Sequence, residues 1–187
     1  MAHSRPSRRQ PPLDRKRLEE MALRYVGRYA TSRAKLIAYL KRKLRDRGWQ
    51  DDDEPDPDAL AARLCELGYV DDAAYAFSKS LSLASRGYGK RRLNDALRLA
   101  GIDQDDAAVA YDHADRRAVE AALHYAQRRK IGPFGPPSAD RKQRDKGIAA
   151  MVRAGHAFAL ARTIVEWPRD IAVDSNELAD RAGLDLS

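Results

Sequence analysis

The chain has 187 residues, of which 34% are charged and 7% aromatic, and 35 Lys and Arg against 28 Asp and Glu give a formal net charge of +7. This length suits one large domain or two small ones, and no run approaches the roughly 18–20 apolar residues of a membrane span, so we expect no transmembrane protein. Cys65 is the only cysteine, which excludes a disulfide or a cysteine-based zinc site within one chain.

Charge alternates in blocks along the chain. Residues 1–47 carry 15 basic and 4 acidic residues, residues 48–76 carry nine acidic residues against Arg63, and residues 77–101 are basic again. The positive balance favours an anionic partner such as nucleic acid. The blocks predict basic and acidic faces at different points of an elongated molecule. The basic start has no apolar stretch behind it, so we expect no secretory signal and a cytoplasmic setting.

The chain is predicted to be all-α, because helical apolar spacing recurs throughout and no segment shows strand alternation. Thr31-Ser32 is predicted to cap the second helix and Gly48 to end it. In chain order, helices are expected over residues 18–29, 33–47, 58–67, 72–85, 90–101, 105–114, 116–129, 140–155 and 158–167, with a short final helix after Asp174.

Three of these helices end in a related pattern, which indicates an internal repeat. Leu40-x3-Leu44-x3-Gly48 corresponds to Leu93-x3-Leu97-x3-Gly101 and to Gly147-x3-Met151-x3-Gly155. Each such helix lies between two others, so the pattern predicts three tandem three-helix, helix-turn-helix-like repeats in an elongated, curved, right-handed or solenoid-like array. The predicted repeats cover 13–69, 70–114 and 115–167, with a Gly/Pro loop at 131–138, a disordered basic tail at 1–12 and a C-terminal tail at 168–187.

Catalytic and metal-binding arrangements are not evident in the sequence, so we expect no enzyme, no metal and no cofactor. The four histidines are far apart, and Glu120 with His124 is interpreted as a solvated helical pair. Residues 51–54 lack the spacing of a calcium loop. Asp71-Asp72 is expected to cap the helix that starts at Ala73, and Cys65 to be a partly buried core residue.

The segment Gly87-Tyr88-Gly89-Lys90-Arg91-Arg92 places three cations at a predicted helix N-terminus. Backbone N–H groups there could hold a phosphate, or the segment could be a flexible turn with a solvated basic end; both interpretations stay open. A basic cluster at residues 41–47 repeats the theme one unit earlier, and Tyr25, Tyr29, Tyr39 and Tyr75 are interleaved with these cations. Most of these tyrosines are expected to be half-buried, and Tyr88 is the best candidate for stacking on a base.

Three stretches resemble the RecX family, regulators of the RecA recombinase. The first runs from Ala22-Leu23-Arg24-Tyr25 through Ser32-Arg33-Ala34-Lys35-Leu36 to Gly48. The second is Leu67-Gly68-Tyr69-Val70-Asp71-Asp72-x2-Tyr75-Ala76, and the third is Arg86-Gly87-Tyr88-Gly89-Lys90-Arg91-Arg92-Leu93 with Gly101-Ile102. The chain departs from the family pattern at Lys35, where an acid is usual, at Tyr75, where phenylalanine is common, and at Gly147, where leucine is usual.

The resemblance implies three tandem three-helix repeats and a non-enzymatic regulator that binds the RecA–DNA filament along its groove. Such a regulator limits filament growth, strand exchange and ATP hydrolysis in DNA repair, homologous recombination and the SOS response. We expect a monomer that contacts the RecA filament, binds single- and double-stranded DNA weakly and non-specifically, and has no membrane partner. The alternatives are a free-standing helix-turn-helix DNA-binding regulator and a scaffold for an acidic protein. The residues expected to bind the filament or DNA are Arg33, Arg42, Lys43, Tyr88, Lys90, Arg91 and Arg92.

Overall fold

The computed structural model describes residues 11–136 and 140–184 of the chain, and within them the fold is all-α. A short 3-10 helix covers Gly132–Phe134, and the described ranges contain no strand, only an isolated bridge between Leu13 and Trp49. The helices are α1 (Arg15–Arg28), α2 (Arg33–Arg47), α3 (Pro57–Glu66), α4 (Asp72–Ser85), α5 (Lys90–Leu99), α6 (Gln104–Arg116), α7 (Ala118–Arg129), α8 (Arg141–Arg153), α9 (Phe158–Glu166) and α10 (Ser175–Ala182).

Each predicted helix is present, and most bounds lie within a few residues of those expected from the sequence. The described helices include none that is both long and apolar enough to cross a membrane. The chain divides into two compact units, with the boundary between Tyr75 and Ala76. The grouping of the helices into three stacked repeats, and the curvature of the array, stay predictions.

The first unit packs α1, α2 and α3 around one apolar cluster. Leu36 and Leu40 from α2 are fully buried, and they meet Ala22 of α1 and Leu64 of α3 in that cluster. The spacing of four residues between the two leucines places both on one face of α2. Leu13 closes the cluster, because its N–H donates to the Gly48 carbonyl and its own carbonyl accepts from the Gln50 N–H.

Helix ends in the first unit are satisfied as the sequence predicts. The Ser32 hydroxyl accepts from the Lys35 N–H at 3.3 Å, and Gly48 follows α2 with φ +82°. The Asp71-Asp72 pair does more than expected. Asp71 caps α4 by accepting from the Ala74 N–H at 2.8 Å, whereas the Asp72 carboxylate accepts from the Arg33 N–H at 2.8 Å and so caps α2. One acidic dipeptide therefore ties the starts of two helices together.

The second unit contains two apolar clusters. Leu93 and Leu97 of α5 are the most deeply buried leucines of the first cluster, which also contains side chains of α4 and α6. The second cluster joins α7, α8 and α9 through side chains such as Met151 and Ile164. It also takes in Leu178 of α10, so the predicted C-terminal tail contains a packed helix.

Two further predictions concern loops and tails. Residues 1–10 of the predicted disordered tail lie outside the described residues. Pro11 and Pro12 belong to the folded part, since their carbonyls accept from Arg47 and Arg17. Residues 131–136 of the predicted Gly/Pro loop lie outside the α-helices and include the 3-10 helix, while residues 137–139 lie outside the described ranges.

Candidate nucleic-acid interface

An aromatic and basic cluster lies where α1 and α2 meet in the first unit. Tyr25 stacks on Tyr39 with ring centroids 4.1 Å apart and planes 13° apart, and Tyr29 lies 5.4 Å from Tyr25. Tyr25 and Tyr39 are half-buried, as expected, whereas Tyr29 is 51% exposed. We call Tyr25, Tyr29 and Tyr39, with the cations described next, the tyrosine cluster.

Three cations surround these rings. The Arg28 guanidinium carbon lies 5.6 Å from the Tyr29 centroid, and both Arg42 and Lys43 lie 5.7 Å from the Tyr39 centroid. Contacts of this kind hold long cationic side chains against an aromatic face while their N–H groups stay available to an anion. Within the described residues no ion pair neutralises these three side chains, in contrast to Lys41, which pairs with Asp58 at 2.8 Å. The cluster thus offers exposed ring surface and positive charge together.

Arg33 lies at the start of the same helix, α2, and its side chain is exposed. Its backbone N–H is taken by Asp72, so only the guanidinium is available to a partner. Arg47, also in the predicted basic cluster, has a structural role, because its guanidinium donates twice to the Pro11 carbonyl at 2.7 and 2.9 Å.

A second arrangement of cations and an aromatic ring surrounds Tyr88 in the second unit. Arg86 and Arg92 lie 5.2 and 5.9 Å from the Tyr88 centroid, and Tyr125 lies 6.4 Å away. Tyr88 itself is half-buried. Its ring therefore holds two guanidinium groups in place and is less accessible to a base than Tyr29.

Two backbone donors that a phosphate at the α5 N-terminus would use have partners within the chain. The Gly89 N–H donates to the Ala154 carbonyl at 3.0 Å and the Arg91 N–H to the Gly155 carbonyl at 3.2 Å, so these donors are already used within the chain. A Cβ at Gly89 would lie 2.3 Å from the Gly155 oxygen. The glycine permits the close approach of two backbones rather than the approach of a phosphate.

The three cations that follow Gly89 differ in their surroundings. Lys90 pairs with Asp115 at 2.5 Å and lies 5.5 Å from the Tyr111 centroid, so much of its charge is balanced within the protein. Arg91 and Arg92 are exposed, and the described residues form no ion pair with either. The sequence motif thus supplies two available cations instead of three.

His156 is the buried polar group of this region, with 5% of its surface exposed. Burial lowers the pKa of the imidazole, and a hydrogen bond to the Gly87 carbonyl opposes that shift in part. The neutral ring donates from Nε2 to that carbonyl at 3.0 Å, which joins the α4–α5 turn to the start of α9. The role of His156 is therefore structural.

The other titratable residues considered from the sequence do not form a catalytic or metal-binding group within the described residues. Glu120 pairs with Arg117 and His124 is exposed, and among the described residues no cluster of three His, Cys, Asp or Glu side chains could hold a metal ion. Cys65 is half-buried beside the first cluster, as expected. Burial, followed by Arg117 and Arg116, lowers the pKa of His113, whose Nδ1 lies 2.6 Å from the Ser80 hydroxyl.

The sequence-based choice of site residues missed Arg28, which lies over the Tyr29 ring, and Arg86, which shares the Tyr88 ring with Arg92. Both stand one or two residues before a tyrosine, in Arg28-Tyr29 and Arg86-Gly87-Tyr88. An arginine that closely precedes a tyrosine near the end of a helix was the sequence signal that could have identified both residues.

Comparison with known proteins identifies the family, although no family model matches the chain. A protein of Myxococcus xanthus named "Regulatory protein RecX" is 32% identical over 158 residues, which cover 80% of this chain and 84% of the relative. The chain belongs to the RecX family. Proteins of the same name from a Mycobacterium species (32% identity, 79% and 81% coverage) and from Stenotrophomonas maltophilia (34% identity, 62% and 68% coverage) agree.

Lys35 of α2 and Tyr75 of α4 lie in contact in this RecX family member. The Lys35 ammonium lies 4.8 Å from the Tyr75 ring centroid and donates to the Tyr75 hydroxyl. An acidic residue at position 35 with a phenylalanine at position 75 could not form this contact. Lys35 therefore cannot form the reciprocal capping interaction that an acidic side chain would form at the start of α2, and it contacts Tyr75 of α4 instead.

Proposed function

We propose that this RecX family member is a regulator of the RecA recombinase that binds the RecA–DNA filament along its groove. It limits filament growth, strand exchange and filament-coupled ATP hydrolysis. Membership of the family carries the proposal, because the relatives are named regulatory proteins. The cationic tyrosine cluster supports it, since a filament exposes both nucleic-acid phosphate and acidic protein surface to a bound regulator.

The proposed mechanism is steric and electrostatic, with no chemical step of the chain's own, and it operates in the cytoplasm. Arg33, Arg42 and Lys43 of α2 contact phosphate or acidic side chains of the filament. Arg91 and Arg92 supply a second contact from the second unit, and the helical body occupies the path of the next protomer or of the incoming duplex. Contacts with phosphate make the affinity fall by about 0.7–0.9 log units per log unit of salt for each contact.

Titration of single-strand-DNA-stimulated ATP hydrolysis by the recombinase from the same organism tests the proposal. The expected result is a fall in the hydrolysis rate at substoichiometric amounts of the chain, because a regulator that caps a filament acts on many protomers. No effect at a several-fold excess, with DNA binding intact, would overturn the proposal and favour a free-standing DNA-binding regulator.

The double variant Arg42→Gln/Lys43→Gln locates the contact. It removes two cations that lie on Tyr39 and form no ion pair within the described ranges, so the fold should be unaffected while inhibition weakens several-fold. Arg141→Gln/Lys142→Gln is the charge control, because it removes two adjacent exposed cations at the start of α8, of which Arg141 pairs with Asp145 at 3.9 Å. Equal weakening by both pairs would mean that only net charge matters and would contradict a contact at the tyrosine cluster.

A further inference from the structure

The second unit contains a pocket whose rim is basic. Its volume is about 340 Å³, and it lies between the C-terminal end of α7, residues 131–136 of the Gly/Pro loop, α8 and the segment after α9. The floor is formed by Ile131, Gly147, Val165 and Trp167. We call it the loop pocket. The cations at its rim are Arg129, Lys130, Arg144, Lys146 and Arg169, all exposed, and none of the described residues that line it is acidic.

The loop pocket depends on a glycine. A Cβ at Gly147 would lie 3.2 Å from Ile131 Cγ2 and 3.4 Å from Val165 Cγ2, so a leucine there would occupy the space that Ile131 now uses. The absent side chain lets the Gly/Pro loop lie against α8. The pocket is therefore a product of the loop and the glycine together.

Arg169 fixes the loop at the rim. Its guanidinium donates to the Gly132 carbonyl at 3.0 Å and also to the Gly135 and Pro136 carbonyls. A guanidinium has five N–H donors, so two remain after these three bonds. Lys130 is held on the same rim in the left-handed conformation, with φ +53°, which is uncommon for a residue other than glycine.

The charge of the loop pocket is not balanced within the protein. Some helical cations elsewhere in this unit pair with nearby acids, as Arg116 does with Asp112 and Arg162 with Glu166. None of the five rim cations has an ion-pair partner among the described residues. Several like charges around one concavity repel each other, and an anionic ligand relieves that repulsion.

We propose that the loop pocket binds the phosphodiester backbone of a nucleic-acid strand, independently of base sequence. The rim cations come from three separate elements around the pocket, an arrangement that fits consecutive phosphates of a strand better than one isolated anion. Arginine and lysine are the side chains that contact such phosphates. This site would add a nucleic-acid contact to the proposed regulator. Its biological role rests on the proposed function, whereas its binding of a nucleic-acid strand does not.

The test is fluorescence anisotropy of a labelled oligothymidylate with the full chain, without recombinase, over a range of chloride concentrations. Arg144→Gln/Lys146→Gln removes two rim cations from the exposed side of α8. We expect affinity to fall several-fold and the slope of log affinity against log salt to decrease by about 1.4, which is two contacts at ~0.7 each for a single strand. Lys130→Asn is a second variant, since asparagine tolerates the left-handed conformation, and its slope should decrease by ~0.7.

The control is again Arg141→Gln/Lys142→Gln, which removes two cations of the same helix outside the loop pocket. Equal losses of slope in control and rim variants would overturn the proposal, as would an unchanged slope in the rim variants. A rim variant that keeps its oligonucleotide affinity but loses stabilisation by inorganic phosphate would reveal a free-phosphate site instead. One that keeps its oligonucleotide affinity but loses inhibition of the recombinase would reveal a protein contact, and the proposed function would stand.

Discussion

Gly89→Ala tests whether the glycine-rich turn before α5 is a packing element. Cβ of the alanine would lie 2.3 Å from the Gly155 oxygen, 2.5 Å from its carbonyl carbon and 2.7 Å from the His156 nitrogen. All three are backbone atoms, so no side-chain rotation can relieve the overlap. The start of α5 must therefore separate from the turn that follows α8.

The cost follows from the bonds that cross this contact. Separation breaks the hydrogen bonds from Gly89 N–H to Ala154 and from Arg91 N–H to Gly155. Each has a net value of about 0.5–1.5 kcal/mol, and a buried donor left without a partner costs about 1–3 kcal/mol. We therefore expect Gly89→Ala to lower the free energy of unfolding of the second unit by about 2–4 kcal/mol.

Urea denaturation followed by tryptophan fluorescence measures this cost, because the two tryptophans report separately. Trp49 lies in the first unit and Trp167 is buried in the second, so a Trp49→Phe background leaves a reporter for the second unit alone. Gly27→Ala in α1, followed through Trp49 in a Trp167→Phe background, is the control, since its Cβ would meet no atom within 4 Å, and it should stabilise the first unit by about 0.5–1 kcal/mol. A change below about 0.5 kcal/mol for Gly89→Ala would refute the packing role, since surface changes commonly stay within that range.

Two further predictions concern the second unit. Gly147→Leu should lower the free energy of unfolding by about 1–3 kcal/mol, because the leucine overpacks against Ile131 and Val165. Ile131→Ala in the same chain should recover part of this loss. Strictly additive changes in unfolding free energy in this double-mutant cycle would contradict the idea that the two side chains compete for the same space. Burial keeps the folded-state pKa of His156 below the usual 6.5, so the unfolded chain binds a proton first and stability should fall as pH decreases below about 6.5. The pKa of His113 is lowered as well, so denaturation at pH 7.5 and 5.5 should be compared for His156→Gln and His113→Gln. If His156→Gln leaves the pH dependence of stability unchanged, the buried neutral His156 is not its source.

Helix positions could be predicted from the sequence because local signals determine them. Ser32 and Gly48 bound α2 through capping chemistry that depends only on nearby residues, and the spacing of Leu36 and Leu40 identifies the buried face. The double role of Asp71-Asp72 could not be predicted, since the Arg33 N–H that Asp72 caps is 39 residues away in sequence. Local sequence patterns therefore predict where helices end, but only the tertiary structure shows which distant side chains also cap them.

The candidate sites show the same division. A run of cations such as Lys90-Arg91-Arg92 is visible in sequence, but the acid that balances Lys90 is Asp115, 25 positions later, and so the number of available charges could not be counted. The loop pocket was missed for a related reason. Its cations come from α7, α8 and the segment after α9, and none of those runs is unusual by itself.

Two glycines that occupy the same position of the predicted repeat, Gly48 and Gly155, are required for different physical reasons. Gly48 and Gly155 both follow a helix with positive φ, at +82° and +98°. A Cβ at Gly48 would meet open space, whereas one at Gly155 would lie 2.5 Å from the Arg92 nitrogen. The first glycine is required by backbone conformation alone, and the second also by the approach of α5. Matching glycines in a repeat therefore need not have matching neighbours, and the contact that Gly155 permits uses the donors that a phosphate at the start of α5 would need.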